Sequence, residues 1–206
     1  MQRCEINEVV NLLTDAFETN PVYSSIFKPT NLREGLIWIF GTDLFLLNRR
    51  KIVTQVVKEK NSGEIVGTLT LIPPGGTKRT FSDYLHAGLP QFIYRFGFSA
   101  LYRMLGLENY NKKILTKAVK SKEYYYLSMV AVKKEYKGNG IGSFTVKSCL
   151  NELRNTKENG HLLGLTTQLP ENVSFYSHLG FEKIDDGEVF FNRNIHYYHC
   201  NMKYIF

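Results

Sequence analysis

Along the N-terminal stretch, Ile6, Val9, Val10, Leu13 and Phe17 recur at i, i+3, i+4, i+7 and i+11, the stripe of one helix face. The spacing predicts an amphipathic first helix, and Pro21 is expected to end it. A second helical stretch is expected over about 31–48. From Lys51 the pattern changes to two β-rich runs, KIVTQVVKEK and IVGTLTLIP, on either side of Asn61-Ser62-Gly63. That is a hairpin signal, stopped by Pro73-Pro74. Residues 84–119 are helical in pattern, with breaks expected at Pro90 and near Gly106. Between Leu85 and Leu107 the charges besides His86 are Arg95 and Arg103. A membrane-surface helix and a pocket-forming insert both fit that stretch, whereas Arg95, Arg103 and Pro90 exclude a transmembrane span.

The run EYYYLSMVAV (123–132) is almost continuously apolar and aromatic, which predicts a strand buried on both faces. EYKGNGIGSF follows, then a helix carrying Gly142, Val146, Cys149, Leu150 and Leu153 on one side. Asn159-Gly160 is its expected stop. HLLGLTTQL reads as the next strand, PENVSFYSHLG as a short helix, and FEKIDDGEVFF and IHYYHCNMKYIF as two closing strands. The order predicts an α/β (α+β) chain with a mixed sheet and helices on its faces.

Composition narrows the function. The 206 residues are 43% apolar, enough for an ordinary core, and carry 13 Tyr and 14 Phe. The net charge of +7 fits either an anionic partner or plain solubility. The basic residues are scattered without a recognition motif, so no nucleic-acid partner is expected. Cys4, Cys149 and Cys200 form no CxxC pair and have no His cluster beside them, which predicts free thiols in a reducing, cytoplasmic setting. No metal site is expected: His196 and His199 lack partners at ligand spacing. The N-terminus is too acidic for a signal peptide, so the formal sequon at Asn172 carries little meaning.

The glycine-rich stretch holds the chemistry. Gly138, Gly140 and Gly142 lie between an expected buried strand and a helix N-terminus, where unpaired N–H groups and the helix dipole attract an anion. No GxxxxGK[ST] occurs, the last glycine of a dinucleotide loop falls on Ser143, and the partner motifs of a kinase loop are absent.

VAVKKEYKGNGIGS resembles the cofactor signature of the GNAT superfamily of acetyl-CoA-dependent N-acetyltransferases. The [QR]-x-x-G-x-[GA] signature falls on Lys137, Gly138, Asn139, Gly140, Ile141 and Gly142, with Lys137 in place of Arg or Gln. LPENVSFYSHLGF is similar to a second family element, through Asn172, Phe175, Tyr176, Gly180 and Phe181. The likeness is close over 124–206. Helix one with its DAF segment, and the insert, are also similar to the puromycin N-acetyltransferase-like branch.

The resemblance implies one acyltransferase domain over 1–206 with a helical insert at about 80–120. Its sheet would be mostly antiparallel, with six to seven strands, splayed between the central strand (123–132) and the next (161–169). Acetyl-CoA would be the co-substrate, its pantetheine arm against Met129, Val130 and Val132 and its pyrophosphate on the amides from Gly138 to Ser143. Lys137 would act as a point charge or remain a solvated surface lysine. Asn172 would bond the pantetheine arm or cap its short helix.

Tyr176 would protonate the departing thiolate, a phenol of pKa ~10 against a thiol of ~8.5, or else simply pack beside Phe175. The Val130 amide would polarise the thioester carbonyl. Glu123, His86 and a water on Ser128 are candidates to take the amine's proton, and core-facing Cys149 is not an expected nucleophile. A small-molecule amine is the expected acceptor. Protein lysine or N-terminal acetylation, a non-catalytic acyl-CoA-binding module and a homodimer stay open, and membrane attachment is not expected.

Overall fold

The computed structural model describes residues 1–121, 123–155, 162–191 and 195–206. The first stripe forms α1 (Ile6–Phe17), burying Val9, Val10 and Leu13. Pro21 does not merely follow this helix. It opens a second one, α2 (Pro21–Ile26), at the position where a missing N–H costs nothing, and the Asn20 side chain caps it by accepting from Val22 N–H at 3.0 Å. Next come α3 (Leu32–Arg49), then the expected hairpin as β1 (Thr54–Lys58) and β2 (Ile65–Ile72). The insert becomes α4 (Phe81–His86) and α5 (Leu89–Val119). The rest is β3 (Tyr125–Val132), α6 (Ile141–Asn155), β4 (Leu162–Thr167), α7 (Pro170–His178), β5 (Glu182–Phe191) and β6 (Ile195–Ile205). The expected stop at Asn159-Gly160 lies outside the described residues.

These strands make one sheet in the order β1-β2-β3-β4-β6-β5. Every neighbouring pair is antiparallel except β3 and β4, which run parallel. That pair meets only at Tyr125–Leu163 and Tyr126–Gly164, so beyond Tyr126 the two strands splay apart. The predicted parting of the sheet is thus a feature of the fold.

Two expectations need correction. The long helix is not broken at Pro90 or Gly106. Its one non-helical residue is Gly97 (φ 82°, ψ 164°), a conformation that glycine tolerates and other residues avoid. Pro90 sits harmlessly in the first turn, and Gly106 is where the Phe191 ring packs against the helix: a Cβ there would lie 2.2 Å from Phe191 Cζ. Second, β3 is not buried uniformly on both faces; buried and half-buried residues alternate along it. Thr68 faces Ala131 and Thr70 faces Ser128, so Met129 and Val130 together oppose Leu69 in a β-bulge, with Met129 at φ 52°. The extra residue shifts the side-chain alternation. Leu127 packs with α6, whereas Met129 and Ala131, of the same parity, pack with α1 and α3 on the opposite face.

The insert docks through a third cluster. Phe92, Ala100, Met104 and Leu107 of α5 pack with Ile26, Phe27, Ile39, Val189 and Tyr197. Arg103 donates from Nε and Nη2 to Ile26 O at 3.1 and 2.7 Å, satisfying a carbonyl at the end of α2. Tyr197 Oη donates to Asn111 Oδ1 at 2.9 Å and ties α5 to β6. Among the described residues no helix is long and apolar enough to cross a membrane.

Candidate active site

The loop between β3 and α6 is anchored at its entry. Lys133 N–H donates to Val66 O at 2.9 Å, the Lys133 ammonium pairs with Glu64, and Tyr136 Oη donates to Glu64 Oε2 at 3.4 Å. Gly138 (φ 85°) and Gly140 (φ 75°) then turn the chain through left-handed backbone that side chains disfavour, with open space where a Cβ would stand. The first bond of the α6 ladder runs from Phe144 N–H to Gly140 O at 2.9 Å; the amides from Gly138 to Ser143 have no acceptor among the described residues. Gly142 lets the helix start lie close to its neighbours, since a Cβ there would be 3.4 Å from Phe175 Cζ and 3.5 Å from Val132 Cγ2. The helix is held down by Val146, Cys149, Leu150 and Leu153, all buried. Lys137 is exposed. The result is a row of unpaired donors, exposed to half-buried, on a fixed helix N-terminus beside the open end of the splay, an arrangement that favours an anion.

A cavity of about 320 Å³ passes through the gap between β3 and β4 and continues under α3 and α5. Of the residues expected from sequence, Ser128, Met129, Val130, Asn172 and Tyr176 line it. Val132 and the run from Lys137 to Ser143 lie outside its lining, at the glycine loop. Asn172 does not cap α7: its Nδ2 donates to Thr167 Oγ1 at 3.1 Å, across to the end of β4. Tyr176 sits on α7 with its ring 8% exposed, gripped edge-on by Phe175 and Phe181 at 5.0 and 5.4 Å. Its hydroxyl makes no hydrogen bond to a described residue. Burial pushes the phenol upward, which keeps it protonated at neutral pH and also makes it a reluctant donor.

The far end of the cavity carries groups that sequence reasoning missed. Asp43 of α3, Glu108 of α5 and Arg79 from the segment before α4 meet there. Arg79 Nη2 binds Asp43 Oδ1 at 2.5 Å, while its Nε stands 3.7 Å from Glu108 Oε1. Asp43 and burial act in opposite directions on the guanidinium, and the carboxylate wins, raising it. Burial raises the Glu108 carboxyl against the pull of Arg79, and burial lowers Lys112. The hydroxyls of Tyr23 and Tyr126 also face this space without a hydrogen bond to a described residue; burial pushes Tyr126 up to about 12 and Tyr23 further in the same direction. A signal for the carboxylates did exist: Asp43 is the one acid between Glu34 and Glu59, and Glu108 the one acid between Asp83 and Glu123.

The other sequence candidates fall away from the cleft. Glu123 and His86 are exposed and outside the cavity lining, and His86 Nδ1 bonds Ser82 O at 2.7 Å. Cys149 is fully buried, and burial pushes its thiol up to about 12, the reverse of an activated nucleophile. His196 Nε2 pairs with Glu188 at 2.8 Å, and His199 Nε2 with Asp185 at 3.3 Å. Among the described residues no group of three or more His, Cys, Asp and Glu is placed to hold a metal.

Comparison with known proteins agrees with this geometry. The family model described as an acetyltransferase (GNAT) domain matches residues 90–205. No curated protein matches the chain. Among solved structures, the chain is similar to the histone acetyltransferase HPA2 and related acetyltransferase of Corynebacterium glutamicum, at 16% identity and TM-score 0.66, covering 98% of this chain and 92% of that one. It is also similar to the Drosophila melanogaster polyamine N-acetyltransferase, which catalyses formation of N-acetylagmatine, at 12% identity and TM-score 0.62, covering 100% and 97%. A third likeness is to the ribosomal-protein-alanine N-acetyltransferase of Brucella melitensis, at 16% identity and TM-score 0.56, covering 100% and 97%. At these identities the likeness is one of fold.

Proposed function

The chain belongs to the GNAT acetyltransferase domain family, and from that premise we propose that it is an N-acetyltransferase moving an acetyl group from acetyl-CoA to an amine of a small molecule by direct transfer. The observation that carries this reading is the single cavity that runs through the β3–β4 splay past Tyr176 and ends at Asp43 and Glu108. Acetyl-CoA enters from the glycine-loop side. Its pyrophosphate accepts from the amides of Gly138 to Ser143, and its pantetheine arm replaces the strand pairing that β3 gives up after Tyr126. The Met129–Val130 bulge turns backbone toward the thioester, where an amide polarises the carbonyl.

The amine attacks from the far end of the cavity. As the C–S bond breaks, Tyr176 gives its proton to sulfur and regains one from the nitrogen. That return is needed, because a phenol raised by burial cannot hold the negative charge for long. The formation of N-acetylagmatine by the polyamine N-acetyltransferase neighbour supports a small amine as acceptor, and so does the cover that α5 lays over the cavity. The resemblance of the insert to the puromycin N-acetyltransferase-like branch points the same way. Acetylation of a protein end is the second reading, favoured by the alanine N-acetyltransferase neighbour and disfavoured by that cover. The free thiols of Cys4, Cys149 and Cys200 support a reducing, cytoplasmic setting for the whole 1–206 unit. Incubating the protein with acetyl-CoA and a panel of arylalkylamines, agmatine and an alanine-terminated peptide, and following thiol release, tests the proposal. Release with the peptide alone would overturn the small-molecule acceptor; no release with any member would overturn the enzyme reading.

A further inference from the structure

We propose that Glu108 is the group that binds the acceptor's ammonium and takes its proton, so that the acceptor is an amine that arrives as a cation. The inference rests on the acetyl-transfer reading for its chemistry and on the cavity for its geometry. Two carboxylates face the acceptor end, and their commitments differ. Asp43 is engaged by Arg79 at 2.5 Å. Glu108 makes no hydrogen bond to a described residue, and its ion-pair partner, Arg79 Nε, stands 3.7 Å away, beyond hydrogen-bond reach. A half-buried carboxylate on a cavity wall, with no hydrogen-bond donor among the described residues, can take one from a cationic ligand.

The same position suits proton removal. Glu108 is faced by Arg79 ahead of α4, Tyr84 of α4, Asp43 of α3, Lys112 on its own helix, and Tyr23 and Tyr126 across the cavity. Burial outweighs Arg79 and raises its carboxyl, which moves a glutamate toward the range where it accepts a proton from an amine and later sheds it to water. Arg79 occupies Asp43 at hydrogen-bond distance, so one carboxylate is structural and the other keeps its hydrogen-bonding capacity for a ligand. The balance is complete. The primary ammonium of a substrate such as phenethylamine carries three N–H protons: one passes to Glu108, one reaches the thiolate through Tyr176 as the C–S bond breaks, and one stays on the amide. The electron pair freed by the first transfer forms the C–N bond, and Glu108 returns its proton to solvent.

The test uses the full chain with phenethylamine as probe. Glu108→Gln is expected to lower kcat/KM by ~10²–10⁴-fold, to leave acetyl-CoA affinity unchanged, and to remove the acid limb of the kcat/KM–pH profile. Glu108→Asp, which keeps the charge, is expected to recover part of the activity and of that limb. By calorimetry phenethylamine should bind wild type but not Glu108→Gln, whereas neutral phenethyl alcohol should bind both alike. A Gln variant with wild-type kcat/KM and pH profile overturns the assignment. If acetyl-CoA binds but no amine is acetylated, the transfer reading fails, yet the calorimetric comparison still decides: amine binding lost in the Gln variant upholds the ammonium site, and equal or absent binding overturns it.

Discussion

On the proposed function, the glycine loop beside the cavity and the cavity's far end recognise by different means. At the glycine loop the recognising atoms are backbone amides, brought into line by three glycines within five residues and by a helix that starts where they end. At the acceptor end the recognising atoms are side chains from α2, α3, α5 and the segment before α4, separated by scores of positions in the chain. Backbone recognition needs a contiguous motif because the donors must come from consecutive residues. Side-chain recognition needs only that separate elements meet. On the proposed function the loop therefore specifies a part common to many reactions, and the far end is free to specify this protein's own acceptor.

The sharpest way to break that contrast is at Gly140. Gly140→Asp places a carboxylate against the diphosphate at a position of φ 75°, and acetyl-CoA binding by calorimetry should weaken by ~100-fold or more. Gly140→Ala carries only the backbone strain, roughly 1–2 kcal/mol, and should bind with a modest loss. If both variants bind like wild type, the amides are not the cofactor site. Tyr176→Phe tests the boundary between the two ends. Turnover should fall by ~10²-fold or more while the affinities for acetyl-CoA and amine stay put, and unchanged turnover would remove the phenol from the reaction.

A smaller effect separates Asp43 from Glu108. Asp43→Asn leaves the Arg79 guanidinium, largely buried, without its closest partner, and thermal unfolding should report a loss of about 1–3 kcal/mol. Glu108→Gln should cost far less stability, since Glu108 makes no hydrogen bond to a described residue. Equal losses would erase the division of labour between the two acids. The smallest effect is at the rim, where Asp83 caps α4 and accepts from Arg50 Nη2 at 2.6 Å. The Thr80 amide and hydroxyl and Arg50 lower its carboxyl to about 2. Its folded value lies below the unfolded one, so its contribution is full above about pH 4 and is lost as the pH falls toward 2. Acid titration of the melting temperature should therefore fall more steeply over that window for wild type than for Asp83→Asn; parallel curves would contradict the cap.

The difference between the ends also explains what could be read early. The glycine loop, the helix after it and the FY pair with Tyr176 follow from a local pattern, and each stands where its periodicity puts it. The hairpin turn at Asn61-Ser62-Gly63 and the apolar stripe of α1 are legible for the same reason. Glu123 and His86 were reasonable proton acceptors only by their nearness in sequence to the central strand and the insert; both are exposed and outside the cavity lining.

Sequence alone determined the order of the strands, the donor row before α6 and the phenol on α7, because helix and strand periods and glycine's backbone freedom act between near neighbours. Tertiary structure decided the rest. One inserted residue at Met129 exchanged the faces of β3, a change invisible to a period of two. The kink lies at Gly97, while Gly106 stays helical and makes room for the Phe191 ring. Asp43, Arg79 and Glu108 became a site only when α3 and α5 closed over the parted strands, since a carboxylate's charge and pKa depend on what surrounds it in space, which no local spacing records.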